Sequence, residues 1–189
     1  GAIPADLGTG VGARAGAMEL RPQWPTQYFG ADLSMSLGMH EYYRSFLRVD
    51  SGSLPCTGTR GSLSYSFTDA EKWKGPGDLG PRNNANFMLQ QPVWGKDDVK
   101  IWVNYNDVEQ DSYRALTYAE TLNLDENRNL DFNAERTGRR NQDIYYYKNN
   151  RADLTNVDLL SIIPITVNET YQLNFKPYYS YEDSTIFAG

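Results

Sequence analysis

The segment YFGADLSMSLGMH, residues 28–40, alternates between apolar and polar side chains with almost no fault. Its apolar members are every second residue, namely Phe29, Ala31, Leu33, Met35, Leu37 and Met39. Successive side chains of a strand point to opposite faces of a sheet, so the segment predicts a strand with one apolar and one polar face. What the apolar face contacts decides which class of β protein the chain forms.

The same alternation recurs along the chain with varying regularity. It is clear in GSLSYSF, VKIWVNY and TYQLNFKPYYSYE, and weaker in FLRVD, NANFMLQQ and ADLTNVDLLSII. These segments are rich in β-branched and aromatic residues, which fit a pleated surface. A helical period is present at most in residues 113–124. The sequence therefore predicts an all-β chain of about seven antiparallel, up-and-down strands.

The predicted connections alternate between short and long. Short connections are expected near Glu41 and in residues 54–58, 93–98 and 164–168, and long ones in residues 68–83 and 106–151. Outer-membrane barrels have short turns at one end and long loops at the other. Tyrosine clusters near strand ends, as in IYYYK and PYYSYE, suit a membrane–water boundary. A soluble β-sandwich, whose apolar face packs on a second sheet, remains the alternative.

Composition excludes several classes of function. The net charge of −6 argues against nucleic-acid binding, which needs clustered cations. No run approaches the length of a membrane-spanning helix. His40 is the only histidine and Cys56 the only cysteine, so we expect no metal site, no cofactor and no catalytic residue, and the chain is not expected to be an enzyme.

Two motifs resemble ligand sites but depart from them. GTGVGARAG resembles a phosphate-binding loop, yet no helix is predicted after it. DENRNLDFNAER spaces its oxygen-bearing residues like a calcium loop, but the EF-hand glycine and glutamate positions hold Leu130 and Arg136. A looser calcium loop or a solvated acidic loop are the readings left open for Asp125, Asn127, Asn129 and Asp131.

The start of the chain resembles a known family. GTGVGARAGAMELRPQWPTQYFG is similar to the end of the plug domain and the first barrel strand of TonB-dependent outer-membrane receptors, with matching positions at Gly16, Met18, Leu20 and Pro25. Glu19 stands where the family usually has Asn. FLRVDSGSLPCTGTRGSLSYSF resembles the next two strands and their periplasmic turn, and AEKWKGPG and YRALTY resemble external-loop segments.

This resemblance implies the fold and its division. Residues 1–25 would be the C-terminal end of a plug domain. Residues 26–189 would be the N-terminal part of a transmembrane β-barrel of about 22 strands. The chain would then be a slice of a longer protein, located in the outer membrane of a Gram-negative bacterium and surrounded by its lipid.

The resemblance also implies a function. The protein would take up a scarce extracellular ligand, most often a ferric siderophore, driven by a TonB-type energy-coupling protein that acts through the missing N-terminal part. Carbohydrate or cobalamin uptake is the alternative within the family, and a passive porin is a further alternative. Expected ligand contacts in the external loops are Trp73, Lys74, Tyr113, Arg114 and Tyr118. By alternation alone, the residues expected to face the lumen are Asp32, Ser34, Ser36, Arg48, Asn104, Gln172 and Asn174.

Overall fold

The computed structural model describes residues 22–93, 97–168 and 170–188. Eight strands make up one antiparallel sheet: β1 (Phe29–Leu37), β2 (Tyr43–Ser51), β3 (Arg60–Asp69), β4 (Arg82–Val93), β5 (Asp97–Asp111), β6 (Arg151–Thr166), β7 (Gln172–Phe175) and β8 (Tyr178–Ile186). Neighbouring strands in the sequence are neighbours in the sheet from β1 to β7, and β8 pairs with β6. The predicted all-β, antiparallel, up-and-down arrangement is confirmed.

The last predicted strand is divided in two. β7 and β8 pair with successive parts of β6, and the break between them falls at Lys176 and Pro177. Proline has no backbone N–H to donate to the ladder, although the carbonyl of Pro177 still accepts from the Ser161 N–H at 3.0 Å. The eight strands therefore occupy seven positions across the sheet, as the alternation predicted.

Within the described ranges the helices are short and lie in the β5–β6 connection. They are α1 (Tyr118–Thr121), α2 (Leu124–Asn127), α3 (Arg140–Asp143) and a 3₁₀ turn (Tyr147–Asn149). Thr117 and Glu120 form a capping box at the start of α1. None of the helices in the described ranges has the length and apolar character of a membrane-crossing helix.

One face of the sheet is apolar across its whole width. Registered cross-strand pairs join two rows of residues on this face, which we call the apolar rows. The first is Ala31, Val49, Leu63, Phe87, Val103, Leu159 and Tyr179. The second is Leu33, Leu47, Tyr65, Ala85, Tyr105, Val157 and Tyr181.

The opposite face is polar at the same height. The pairs that lie between the two apolar rows form a third row, made of Asp32, Arg48, Ser64, Asn86, Asn104, Asp158 and Ser180. Asn84 Nδ2 donates to Asn104 Oδ1 at 2.9 Å, and Asn104 Nδ2 donates to Asp158 Oδ2 at 3.2 Å. These bonds link polar side chains of three strands across this face.

A conventional hydrophobic core is absent from the described residues. Met88 and Val108 are the only large apolar side chains buried there, and both lie on the polar face. The apolar rows are open instead: Leu33 is 73% exposed and Phe87, in the middle of the sheet, is 45% exposed. No second layer covers the apolar face within the described part of the chain.

Candidate functional site

The long connections meet at one end of the sheet, which we call the loop end. An up-and-down sheet places the β1–β2 turn, the β3–β4 loop (residues 70–81) and the β5–β6 segment (residues 112–150) at this end. The connections at residues 52–59 and 167–171 lie at the opposite end. The predicted segregation of short and long connections is therefore present, with the β1–β2 turn as a short member of the loop end.

The β1–β2 turn is tight for a stereochemical reason. His40 and Glu41 both have positive φ, at 57° and 53°, and the Gly38 N–H donates to the Tyr42 carbonyl at 2.9 Å. Positive φ at both central residues matches the twist of a hairpin. His40 lies in this turn, and the backbone N–H of Glu71 donates to its carbonyl at 2.7 Å.

The β3–β4 loop folds back on itself before it contacts the other loop. Glu71 and Asp78 form an isolated bridge, and the Lys72 N–H donates to the Gly77 carbonyl at 3.0 Å. Gly75 and Gly77 have φ of 67° and 105°, which L-residues with a side chain rarely adopt. The result is a small hairpin that projects Lys72, Trp73 and Lys74 toward the β5–β6 segment.

A buried ion pair joins the two loops. Lys72 Nζ lies 2.6 Å from Asp131 Oδ2, and the two side chains are 0% and 1% exposed. The ammonium also donates to the Ser112 carbonyl at 2.8 Å and lies 4.9 Å from the ring centroid of Tyr113. Asp131 Oδ2 faces the ammonium without a well-directed hydrogen bond, while Asp131 Oδ1 accepts from the backbone N–H of Arg114 at 2.7 Å.

Four of the five predicted ligand contacts surround this pair. The ring centroids of Trp73 and Tyr113 lie 5.7 Å apart, and Tyr113 Oη accepts from the backbone N–H of Trp73 at 3.1 Å. Lys74 Nζ donates to the Leu130 carbonyl at 3.1 Å and lies 5.4 Å from the Trp73 ring. Four predicted contacts therefore lie around the buried ion pair. We call these six residues the loop cluster: Lys72, Trp73, Lys74, Tyr113, Arg114 and Asp131.

Arg114 holds its side chain within the β5–β6 segment. Its Nη2 lies 2.7 Å from Glu120 Oε1, and its guanidinium lies 5.3 Å from the ring of Tyr145. Hydrogen bonds from Thr117, followed by the nearby Arg114, hold the pKa of Glu120 below its ordinary value despite some desolvation. Tyr118, the remaining predicted contact, is 80% exposed on α1 and is not part of the loop cluster.

Lys72 and Asp131 were not predicted as site residues. Asp131 was considered only as a possible calcium ligand or a solvated acid, and the structure shows it buried and paired with Lys72 instead. The described residues contain no group of three or more His, Cys, Asp or Glu side chains arranged to hold a metal ion. No local signal identifies Lys72, because the rings that its ammonium contacts, Tyr113 and Phe132, belong to a distant segment of the chain.

All seven residues predicted to face the lumen lie on the polar face by register. In the strand register Asp32 lies opposite Arg48 and Asn104 lies opposite Asp158. Ser34 and Ser36 lie opposite other residues of β2. Gln172 and Asn174, on β7, pair with Thr166 and Pro164. Of these residues Arg48 is the most buried, because its guanidinium pairs with Asp50 at 2.7 Å.

The segment before β1 crosses this polar face. Arg48 Nη2 donates to the Trp24 carbonyl at 3.3 Å, and Asp50 Oδ1 accepts from the Thr26 N–H at 3.1 Å. The ring of Trp24 lies 5.4 Å from Lys100 Nζ, which belongs to β5. The chain therefore enters the sheet from its polar side. Of the predicted end of the plug domain, residues 1–25, positions 1–21 lie outside the described residues.

Comparison with protein-family models, with curated proteins and with solved structures gives no match for this chain.

Proposed function

We propose that this chain forms part of the wall of an outer-membrane transporter of the TonB-dependent receptor class. In this proposal the apolar rows contact lipid acyl chains and the polar row faces the lumen. The observation that carries it is the pair of apolar rows, which continue without a gap across seven strand positions and have no covering layer in the described residues. Burying such a face is strongly favourable, so an apolar environment must cover it.

The dimensions of the apolar face suit a bilayer. On β1 the outward apolar positions run from Phe29 to Leu37, which corresponds to about 27 Å along a strand. A strand tilt of about 40° reduces this to about 21 Å along the membrane normal, close to the apolar band of outer-membrane barrels. Toward the loop end of β5, the outward position after Tyr105 is Asp107, whose Oδ1 accepts from Thr155 Oγ1 at 2.9 Å. On β5 the apolar stretch of this face therefore ends at Tyr105.

The entry of the chain supports a plugged lumen. The segment before β1 packs against Arg48, Asp50 and Lys100 on the polar face. A chain that came from inside a barrel would reach the barrel wall on this face. In a β-sandwich the equivalent inner face would instead be the apolar one. The described segment thus favours the receptor reading over both the sandwich and the open porin.

The proposed cargo is an extracellular ligand bound at the loop end, with a ferric siderophore as the first candidate. Trp73, Tyr113 and Tyr118 present aromatic surface there, and a TonB-type partner would supply energy through the N-terminal part of the protein. Uptake of carbohydrate or cobalamin by the same class uses the same architecture. Growth of a deletion strain on single iron chelates, oligosaccharides or cobalamin identifies the cargo.

The lipid contact can be tested with neighbouring positions of β3. In a Cys56→Ala background, cysteine is introduced at Leu63 or at Ser64, labelled with a small fluorophore, and the full-length protein is placed in bilayers containing brominated lipid. Quenching is expected at position 63 and not at position 64, because the two side chains point to opposite faces. Equal quenching at both positions, or a monomeric protein that needs no detergent, would overturn the proposal.

A further inference from the structure

A cationic pocket lies at the start of β6 and the end of β8. Its volume is about 740 Å³. Among the described residues that line it, four carry a positive charge, namely Arg136, Arg140, Lys148 and Arg151, and Asp143 is the only carboxylate. This charge is opposite to that of the whole chain, whose net charge is −6. We call this cavity the cationic pocket.

The Asp143 carboxylate is already occupied by its own segment. Its Oδ1 accepts from the Thr137 N–H at 2.7 Å and from Thr137 Oγ1 at 2.8 Å. Its Oδ2 lies 3.4 Å from Arg136 Nε, a loose pair with an exposed guanidinium. A carboxylate satisfied in this way holds the loop and forms no ion pair with Arg140, Lys148 or Arg151.

Two of those cations have no carboxylate partner. Neither Arg140, on α3, nor Lys148, in the 3₁₀ turn, takes part in an ion pair with any residue in the described ranges. Arg151, in contrast, pairs with Glu109 at 2.9 Å and Asp153 at 3.3 Å. Its guanidinium also lies 4.9 Å from the Phe187 ring, which fixes it at the pocket wall.

The nearby carboxylates are segregated from this pocket. A smaller cavity of about 310 Å³ is also lined by Lys148 and Arg151, and its carboxylates are Asp78, Glu109 and Asp111. None of these three lines the cationic pocket. The positive charge is thus concentrated on one side of Lys148 and Arg151, where an anion would meet it.

We propose that the cationic pocket binds a phosphate-bearing anion, with Arg140 and Lys148 as its direct ligands and Arg136 as an adjustable third. Arg supplies paired N–H donors that match phosphate oxygens, and Lys supplies a point charge. A phosphate monoester carries more than one negative charge and three terminal oxygens, and a lipid phosphodiester carries one charge and two terminal oxygens, so either can accept hydrogen bonds from more than one cation.

Two sources could supply this phosphate. Arg151 and Phe187 occupy the same alternation phase as the apolar rows, beyond Asp107 and Thr155 where that face becomes polar. A lipid whose acyl chains contact the apolar rows would place its headgroup phosphate at this level, a source that rests on the proposed function. A soluble phosphate compound is the other source, and it needs no membrane.

Calorimetric titration with pyrophosphate tests the site in the full-length protein. The protein is placed in nanodiscs of zwitterionic phosphatidylcholine and, separately, in nanodiscs that also contain anionic phosphatidylglycerol. The variant Arg140→Gln/Lys148→Gln is compared with Arg128→Gln/Lys176→Gln, which removes the same charges at exposed positions outside the pocket. Circular dichroism checks that both variants are folded.

We expect pyrophosphate to bind in phosphatidylcholine nanodiscs, with affinity lowered about tenfold or more in the pocket variant and unchanged in the control. An apparent affinity that is weaker in phosphatidylglycerol nanodiscs, and stays weaker at high salt where repulsion by the membrane surface is screened, identifies the lipid headgroup as the source. Equal affinity at high salt identifies a soluble phosphate. No binding, or equal binding by both variants, overturns the proposal. If the protein instead stays monomeric in plain buffer, the proposed function fails, and the same titration in buffer still tests the pocket.

Discussion

The ammonium of Lys72 and the carboxylate of Asp131 lie 2.6 Å apart, fully enclosed between the β3–β4 loop and the β5–β6 segment. Both groups come from connections rather than strands, and neither loop could bury its charge alone. A buried charge is tolerated only when it is paired, so the two loops are ordered together.

Removal of one partner of the pair is expected to loosen both loops. Lys72→Met leaves the Asp131 carboxylate buried without a counter-charge, which costs about 3–5 kcal/mol in comparable cases. Hydrogen exchange of residues 70–81 and 112–150 should report this loss as faster opening of both loops. The double variant Lys72→Met/Asp131→Leu should recover most of it, because no charge remains buried.

A more exposed pair provides the control. Glu109→Gln breaks the ion pair with Arg151. The Glu109 side chain is 56% exposed and the Arg151 side chain is 37% exposed. An exposed pair contributes about 0–1 kcal/mol, so exchange should change little. Equal effects of Lys72→Met and Glu109→Gln would contradict the role given to the buried pair.

Gly75→Ala is expected to disturb the same contact by a steric route. Gly75 has φ of 67°, and a Cβ at this position would overlap the side chain of Asp131. The combined strain and displacement should cost about 2–3 kcal/mol, of which about 1 kcal/mol belongs to the positive φ alone. Limited proteolysis of the β3–β4 loop measures the effect.

Gly138→Ala separates the backbone cost of a positive φ from the cost of displacing Asp131. Gly138 also has positive φ, at 76°, but nothing lies within 4 Å of a Cβ built there. This variant should show only the backbone cost of about 1 kcal/mol. If both alanine variants were cleaved at the same rate, the Asp131 contact would have no energetic weight.

We expect Asp78 to make the stability of the β3–β4 loop depend on pH. Desolvation first, and then repulsion from Asp111, Asp69 and Glu41, raise the pKa of Asp78 above its ordinary value of 3.8. Because the pKa is higher in the folded state, the group favours folding while protonated, and that contribution is lost as the pH rises from 3.8 through the folded pKa.

The variant Asp78→Asn tests this dependence. It should be more stable than the parent at neutral pH, since it removes the ionised carboxylate, and its loop opening should vary less with pH just above 3.8. Hydrogen exchange of residues 70–81 at a series of pH values provides the measurement. A parent and a variant with parallel pH profiles would assign the dependence to another group.

Arginine substitutions on neighbouring residues of β3 test which face meets lipid. Leu63→Arg places a charge in the apolar rows and should cost about 2–4 kcal/mol of folding free energy in a bilayer, whereas Ser64→Arg, on the polar face, should cost little. Urea unfolding from lipid vesicles gives both values. A larger cost for Ser64→Arg than for Leu63→Arg would reverse the two faces.

Strands with strong alternation were predictable from local sequence, and the connections were not. TYQLNFKPYYSYE was expected to form one strand, yet Pro177 interrupts it because the ladder requires a donor there. Trp73 and Lys74 were expected at the loop end with Tyr113 and Arg114, and the structure brings these four together. Their grouping around Lys72 and Asp131 was not predictable, since it depends on contacts between distant segments.

The sequence by itself determined the period-two alternation, and with it a sheet that has one apolar and one polar face, because side-chain direction along a strand is a local property. The tertiary structure alone decided that the apolar positions align into continuous rows, that residues 22–27 cross the polar face, and that four cations line one pocket. Each of these depends on register and on loop packing, which join residues far apart in the chain and leave no local signature in the sequence.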